Sequence, residues 1–184
     1  MTNKEQFIHN LHQARVNVIR WVGAVKLLSS DLPMKEYAFE LNLSDTDFGK
    51  WFYTEASLIT SPNSTEMIDN IEDVLIDMHR HFMHIYEICV LERKKTFLGT
   101  VKALGLAEKN MASTYYQELV NLSDDFQKLL RRFERMIQAK SEEEFTMFAY
   151  AIQAQHNEEK KEQEKVIRKV NHTSVSGARG AYLG

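Results

Sequence analysis

Residues 7–28, FIHNLHQARVNVIRWVGAVKLL, decide the fold class. Phe7, Leu11, Ala14, Val18, Trp21, Val25 and Leu28 recur at alternating steps of four and three. That spacing lays an apolar seam along one side of a helix for three heptads, and the seam needs other helices to cover it. Val22 widens the stripe. Pro33 disfavours helical geometry at Leu32, so the helix is expected to stop within Ser29-Ser30-Asp31-Leu32.

The rhythm returns twice. Met67, Ile71, Val74, Met78, His81, Ile85 and Ile88 form a second seam, flanked by Ile68, Leu75, Phe82 and Cys89 and running to at least Glu92. Tyr115, Leu119, Leu122, Phe126, Leu129, Phe133 and Met136 form a third. Ser44 or Asp45 is positioned to cap a shorter helix over about residues 45–59, which Ser61-Pro62-Asn63-Ser64 ends. Residues 34–43 alternate like a strand but stand alone, so they read as a connection whose aromatics cover one end of a bundle. The basic, then glycine-punctuated stretch 93–105 leaves the next helix boundary open.

Ser141-Glu142-Glu143-Glu144 is a capping box that opens a further helix, with Phe145, Phe148, Ala149 and Ile152 on its apolar face. Residues 158–169 are of mixed charge and read as a solvated extension. From Asn171 the chain turns small and polar, with no periodic apolar face, and is expected to be disordered in isolation. The expected organisation is a helical bundle over 1–140, an additional C-terminal helix over 141–170 packed on or extending it, and a tail over 171–184. Fold class is therefore all-α: an antiparallel four-helix bundle with a short helix after the first long one.

Composition agrees. The chain has 184 residues, 43% of them hydrophobic and 27% charged, with only seven Gly and two Pro. A net charge of −3 gives no global field to recruit nucleic acid or anionic membrane. Arg131, Arg132 and Arg135 cluster near Lys128, but Glu134 interrupts them and no aromatics interleave, which reads as a solvated face. A single cysteine, Cys89, excludes an internal disulfide. No apolar run reaches the ~18 to 20 residues that span a bilayer, and no secretory signal opens the chain, so a cytoplasmic location without membrane insertion is the default expectation.

Thr46-Asp47-Phe48-Gly49-Lys50-Trp51, taken with Trp21 upstream and histidines downstream, resembles the chemoreceptor zinc-binding (CZB) domain over about residues 10–137. That family carries His-x-x-Trp, then Cys-x-Phe-Gly-x-Trp, then His-x-x-x-His. Here the first element is Val18-Ile19-Arg20-Trp21, and the second has Thr46 in the cysteine position. His79 stands at about the right distance for the third, but its i+4 partner is Met83. The resemblance implies a zinc-responsive bundle attached to receptors or cyclases. It also implies that Val18 and Thr46 replace two ligands, and valine cannot ligate a metal at all.

Zinc prefers four N, S or O donors in a tetrahedral site. The remaining candidates are His79, His81 and His84 on the third helix. Only His81 and His84, at i and i+3, share a face, and His81 also falls on the seam. They are the expected pair of any surviving site. The alternative is that His81 is a hydrogen-bonded core histidine with the other two at the seam's edge. No Glu-x-x-His pair, His-Asp doublet, phosphate-binding loop or dinucleotide fingerprint occurs, so an enzyme is not expected. Cys89, on an apolar stripe, reads as an inert thiol.

The expected function is a cytoplasmic regulatory module with zinc binding weak or lost. It would act through a protein partner or by self-association, with a homodimer as the assembly the resemblance suggests. The alternative is a zinc sensor using a remodelled histidine site.

Overall fold

The computed structural model describes residues 3–32, 39–59, 62–93 and 103–147. Four helices organise them: α1 (Asn3–Ser29), α2 (Asp47–Trp51), α3 (Pro62–Tyr86) and α4 (Leu106–Ala139). A further helix starts at 142 behind the anticipated capping box. The Glu144 amide donates to Ser141 Oγ at 3.1 Å, and the Ser141 amide donates to the Glu144 carboxylate at 2.8 Å. The expected extension to 170, the tail over 171–184 and Tyr37 of the connecting segment lie outside the described residues.

Side-chain contacts fix the helix directions. Lys4, at the start of α1, donates to the carbonyls of Gln138 and Lys140 at the end of α4. Further along, Arg15 pairs with Glu134 at 3.0 Å and bonds Gln127. At the other end, Asp31 just past α1 meets Arg93 after α3 and Lys109 in the first turn of α4. So α1 and α3 run parallel, and α4 runs antiparallel to both. The result is an all-α bundle, as the three seams require.

The core joins Leu11, Val18 and Val25 of α1 to Ile71, Met78, Phe82 and Ile85 of α3 and to Leu119, Phe126 and Phe133 of α4. Two seams keep half of their expected positions and are widened toward one side. On α3, Ile71, Met78 and Ile85 of the expected seam are fully buried, joined by the flanking Ile68, Leu75 and Phe82, while Met67, Val74 and His81 ride at the edge. On α4, Ser123, Leu130 and Ile137 are buried where Leu122, Leu129 and Met136 are only partly covered. The reason is geometric: these helices each pack against more than one neighbour, which widens and shifts the stripe beyond a two-helix seam.

The helix ends show local chemistry that periodicity does not carry. Asp31, with φ at 56°, is the left-handed residue of a Schellman turn. Its amide donates to Leu28 O and the Leu32 amide to Leu27 O, both at 3.1 Å. This turn, two residues before Pro33, ends α1. Its carboxylate then ties down the start of the last long helix, accepting from the Leu104 amide as well as facing Arg93 and Lys109.

The cap of α2 is Thr46, and neither Ser44 nor Asp45. Its Oγ1 accepts from the Gly49 amide at 3.0 Å and donates to the Leu43 carbonyl at 2.7 Å. Wide π turns extend both α2, over Phe52–Ala56, and α3, over Glu87–Leu91. In each, an amide reaches back five residues at 2.9 Å, from Ser57 to Phe52 and from Glu92 to Glu87.

Candidate functional site

Three elements enclose a cavity of about 370 Å³. From α1 come Asn17, Val18 and Trp21, one turn apart along the seam. From α3 come Leu75, Met78 and His79. The segment leading into α2 closes the remaining side with Phe39, Glu40, Leu43, Thr46, Asp47 and Phe48. Val18, Trp21, Thr46 and His79, distant in sequence, thus meet at one site, with Trp51 buried behind it in ring contact with Phe48.

Local folding explains the convergence. The Leu43–Asp45 turn brings the chain back onto the bundle, and the doubly bonded Thr46 hydroxyl locks it to the start of α2. Gly49 makes this possible. A Cβ there would stand 1.9 Å from the Leu43 carbonyl oxygen and 2.9 Å from Thr46 Oγ1. The close approach that requires glycine is therefore to the preceding turn.

Trp51 is only 8% exposed and packs against Phe7 and Phe48, as expected of a core residue. Trp21 differs. It is partly buried, standing edge-on to Phe82 with one side on the cavity. The indole nitrogens of both tryptophans are buried and have no hydrogen-bond partner among the described residues.

The three candidate histidines do not come together. His79 alone faces the cavity. Its Nε2 lies 3.0 Å from the Leu41 carbonyl, which only accepts, so Nε2 carries the hydrogen. Burial holds the His79 pKa below its ordinary value, with the Leu41 contact opposing. His81 turns toward α4: Nδ1 is 2.8 Å from the Asp77 carbonyl and Nε2 is 2.8 Å from the Glu118 carboxylate. Both ring nitrogens are thus turned onto oxygen atoms of the protein, and neither faces an open position for an ion. His84 stacks on Tyr115 with centroids 4.7 Å apart.

The donor set does not fit a tetrahedral zinc site. At the cavity, His79 is accompanied by Val18 and Thr46, and the Thr46 hydroxyl is already committed to two backbone groups. Among the described residues, no group of three or more His, Cys, Asp or Glu side chains is gathered to hold a metal ion. Four donors are what a closed zinc site requires.

Other reactive groups are sparse. Cys89 is buried, and burial pushes its thiol up to about 11, which leaves it protonated at neutral pH. Of the cavity's participants on the incoming segment, Phe39 was expected only as an aromatic covering one end of the bundle, where it meets Phe82, and neither it nor Glu40 was expected at a site. Their signal was position alone, a few residues before the Thr46 element. No helix among the described residues is long and apolar enough to cross a membrane. In comparison with known proteins, no family model, curated protein or solved structure matches this chain.

Proposed function

We propose that this chain is a regulatory helical-bundle module of the CZB type in which zinc binding is weak or lost. It works by binding, without catalysing a reaction, and passes its state on through a protein partner or by self-association in the cytoplasm. One observation carries the reading. Positions 18, 21, 46 and 79, which the motif resemblance assigns to a single site, line a single cavity although they come from three separate elements.

The side chains at those positions argue for the loss of metal. Val18 packs in the core, and Thr46 serves the backbone of α2. Each missing ligand removes a bond and part of the preorganisation of the rest. The reading as a remodelled zinc sensor draws no support from His81 and His84, which are engaged with Glu118 and Tyr115.

Elemental analysis of protein purified without a His tag tests the reading. It predicts substoichiometric zinc that a mild chelator removes. Stoichiometric zinc that survives dialysis against chelator would overturn it.

A further inference from the structure

The geometry points to the cavity between α1, α3 and the segment before α2 as a binding site for a small organic cation, an amine or quaternary ammonium. This goes beyond the regulatory reading by naming what enters the cavity. Binding is measurable whether or not the module signals, so the two can fail separately.

The walls carry the argument. Trp21, Phe39 and Phe48 contribute three aromatic rings to a space of about 370 Å³. That volume falls near the lower end for small-molecule sites, which run from roughly 300 to 1,000 Å³. Aromatic faces attract alkylated ammonium groups through the ring quadrupole, tryptophan most strongly, and offer nothing comparable to an anion.

Charge selects in the same direction. Among the described residues, Glu40 and Asp47 are the charged side chains lining the cavity, and no Lys or Arg joins them there. Neither carboxylate has an ion-pair partner among the described residues. Both are exposed, which places them at the opening while the rings lie deeper. His79 is compatible with a cation. Its depressed pKa keeps it neutral, and with Nε2 committed to Leu41 O its Nδ1 lone pair is left to accept from an ammonium N–H. Among the described residues, an anionic ligand would meet two carboxylates and no compensating donor with charge. For a metal ion, the His79 imidazole and the two exposed carboxylates are not gathered closely enough to form a site.

The full-length chain is titrated with choline and with phenethylammonium, following tryptophan fluorescence and heat. Their neutral counterparts, the carbon isostere of choline and phenethyl alcohol, are run in parallel. The proposal predicts saturable binding of at least one cation with Kd of about 1 mM or tighter. Its neutral counterpart should bind about tenfold more weakly, the scale expected when a ring-bound cation loses its charge. Combining Glu40→Gln with Asp47→Asn should weaken the cation about fivefold and leave the neutral compound unchanged. Absence of saturable binding by both cations overturns the proposal. So does equal binding of the neutral counterpart, which would make the cavity merely apolar, or an unaltered cation affinity in the double variant.

Discussion

Gly49→Ala tests the account of how the site is built. An added Cβ would lie 1.9 Å from the Leu43 carbonyl oxygen and 2.9 Å from the Leu43 carbonyl carbon. Both atoms are backbone, so no flexible side chain can swing aside. Overpacking costs about 1 to 3 kcal/mol, and a backbone obstacle puts this site at the top of that range. The shift also pulls Thr46 Oγ1 away from the Gly49 amide, removing a cap worth about 1 kcal/mol. Alanine recovers about 1 kcal/mol through its better helix propensity. The net loss is about 3 kcal/mol, a fall in Tm of roughly 6 to 12 °C for a chain of this size. Urea denaturation followed by far-UV circular dichroism measures it, with Thr46→Ala alone expected to lose only about 1 kcal/mol. Gly23 supplies the contrast, since a Cβ there meets nothing within 4 Å. Gly23→Ala should stabilise by about 0.5 to 1 kcal/mol. A Gly49→Ala protein as stable as the parent would refute the claim that this turn depends on the absence of a side chain.

Trp51→Ala should cost about 3 to 5 kcal/mol by urea denaturation, because the ring is buried between Phe7 and Phe48. In a single-tryptophan comparison, acrylamide should quench Trp21 more readily than Trp51, since only Trp21 is partly exposed. Asp31→Asn keeps a residue tolerant of positive φ but removes the charge facing Arg93 and Lys109, and a loss of about 1 to 2 kcal/mol is expected. Asp31→Ala should lose about 1 kcal/mol more from the left-handed backbone; equal losses would show that the backbone contributes nothing. His79 gives a pH signature. Its folded pKa lies below the ordinary value of 6.5, so the unfolded chain protonates first. Stability attributable to His79 therefore falls as pH drops below about 6.5 and levels off beneath the folded pKa. The difference in unfolding free energy between the parent and His79→Gln should change across that window and nowhere above it.

The bundle was legible in the sequence because burial of a helix face leaves a periodic trace. Phe7, Leu11, Ala14, Val18 and Val25 are buried as the first seam required. The register on α3 and α4 was less legible. Phe82 and His81 differ by one position, about 100° of rotation, and only the placement of neighbouring helices decides which is buried. His81 consequently met Glu118 at the edge, while Phe82 took the core between Trp21 and Phe39. The Thr46-to-Trp51 element carried more information than its length suggests. It marked Thr46, Gly49 and Trp51, which set the cap, the close turn and the buried ring. What it could not give was the role of Thr46, whose hydroxyl bonds to the backbone in both directions, or the contribution of Phe39 and Glu40. Those depend on a loop trajectory, and loops leave no periodic trace.

The central claim is that Val18, Thr46 and His79 surround one cavity while His81 and His84 do not. Cobalt titration of the Val18→His/Thr46→Cys double variant tests it most directly, because a cobalt–thiolate bond has its own near-ultraviolet absorption. The account predicts that the double variant acquires this absorption, that adding His79→Ala abolishes it, and that adding His81→Ala leaves it intact. Absorption that is never acquired, or that depends on His81 and survives loss of His79, would contradict it.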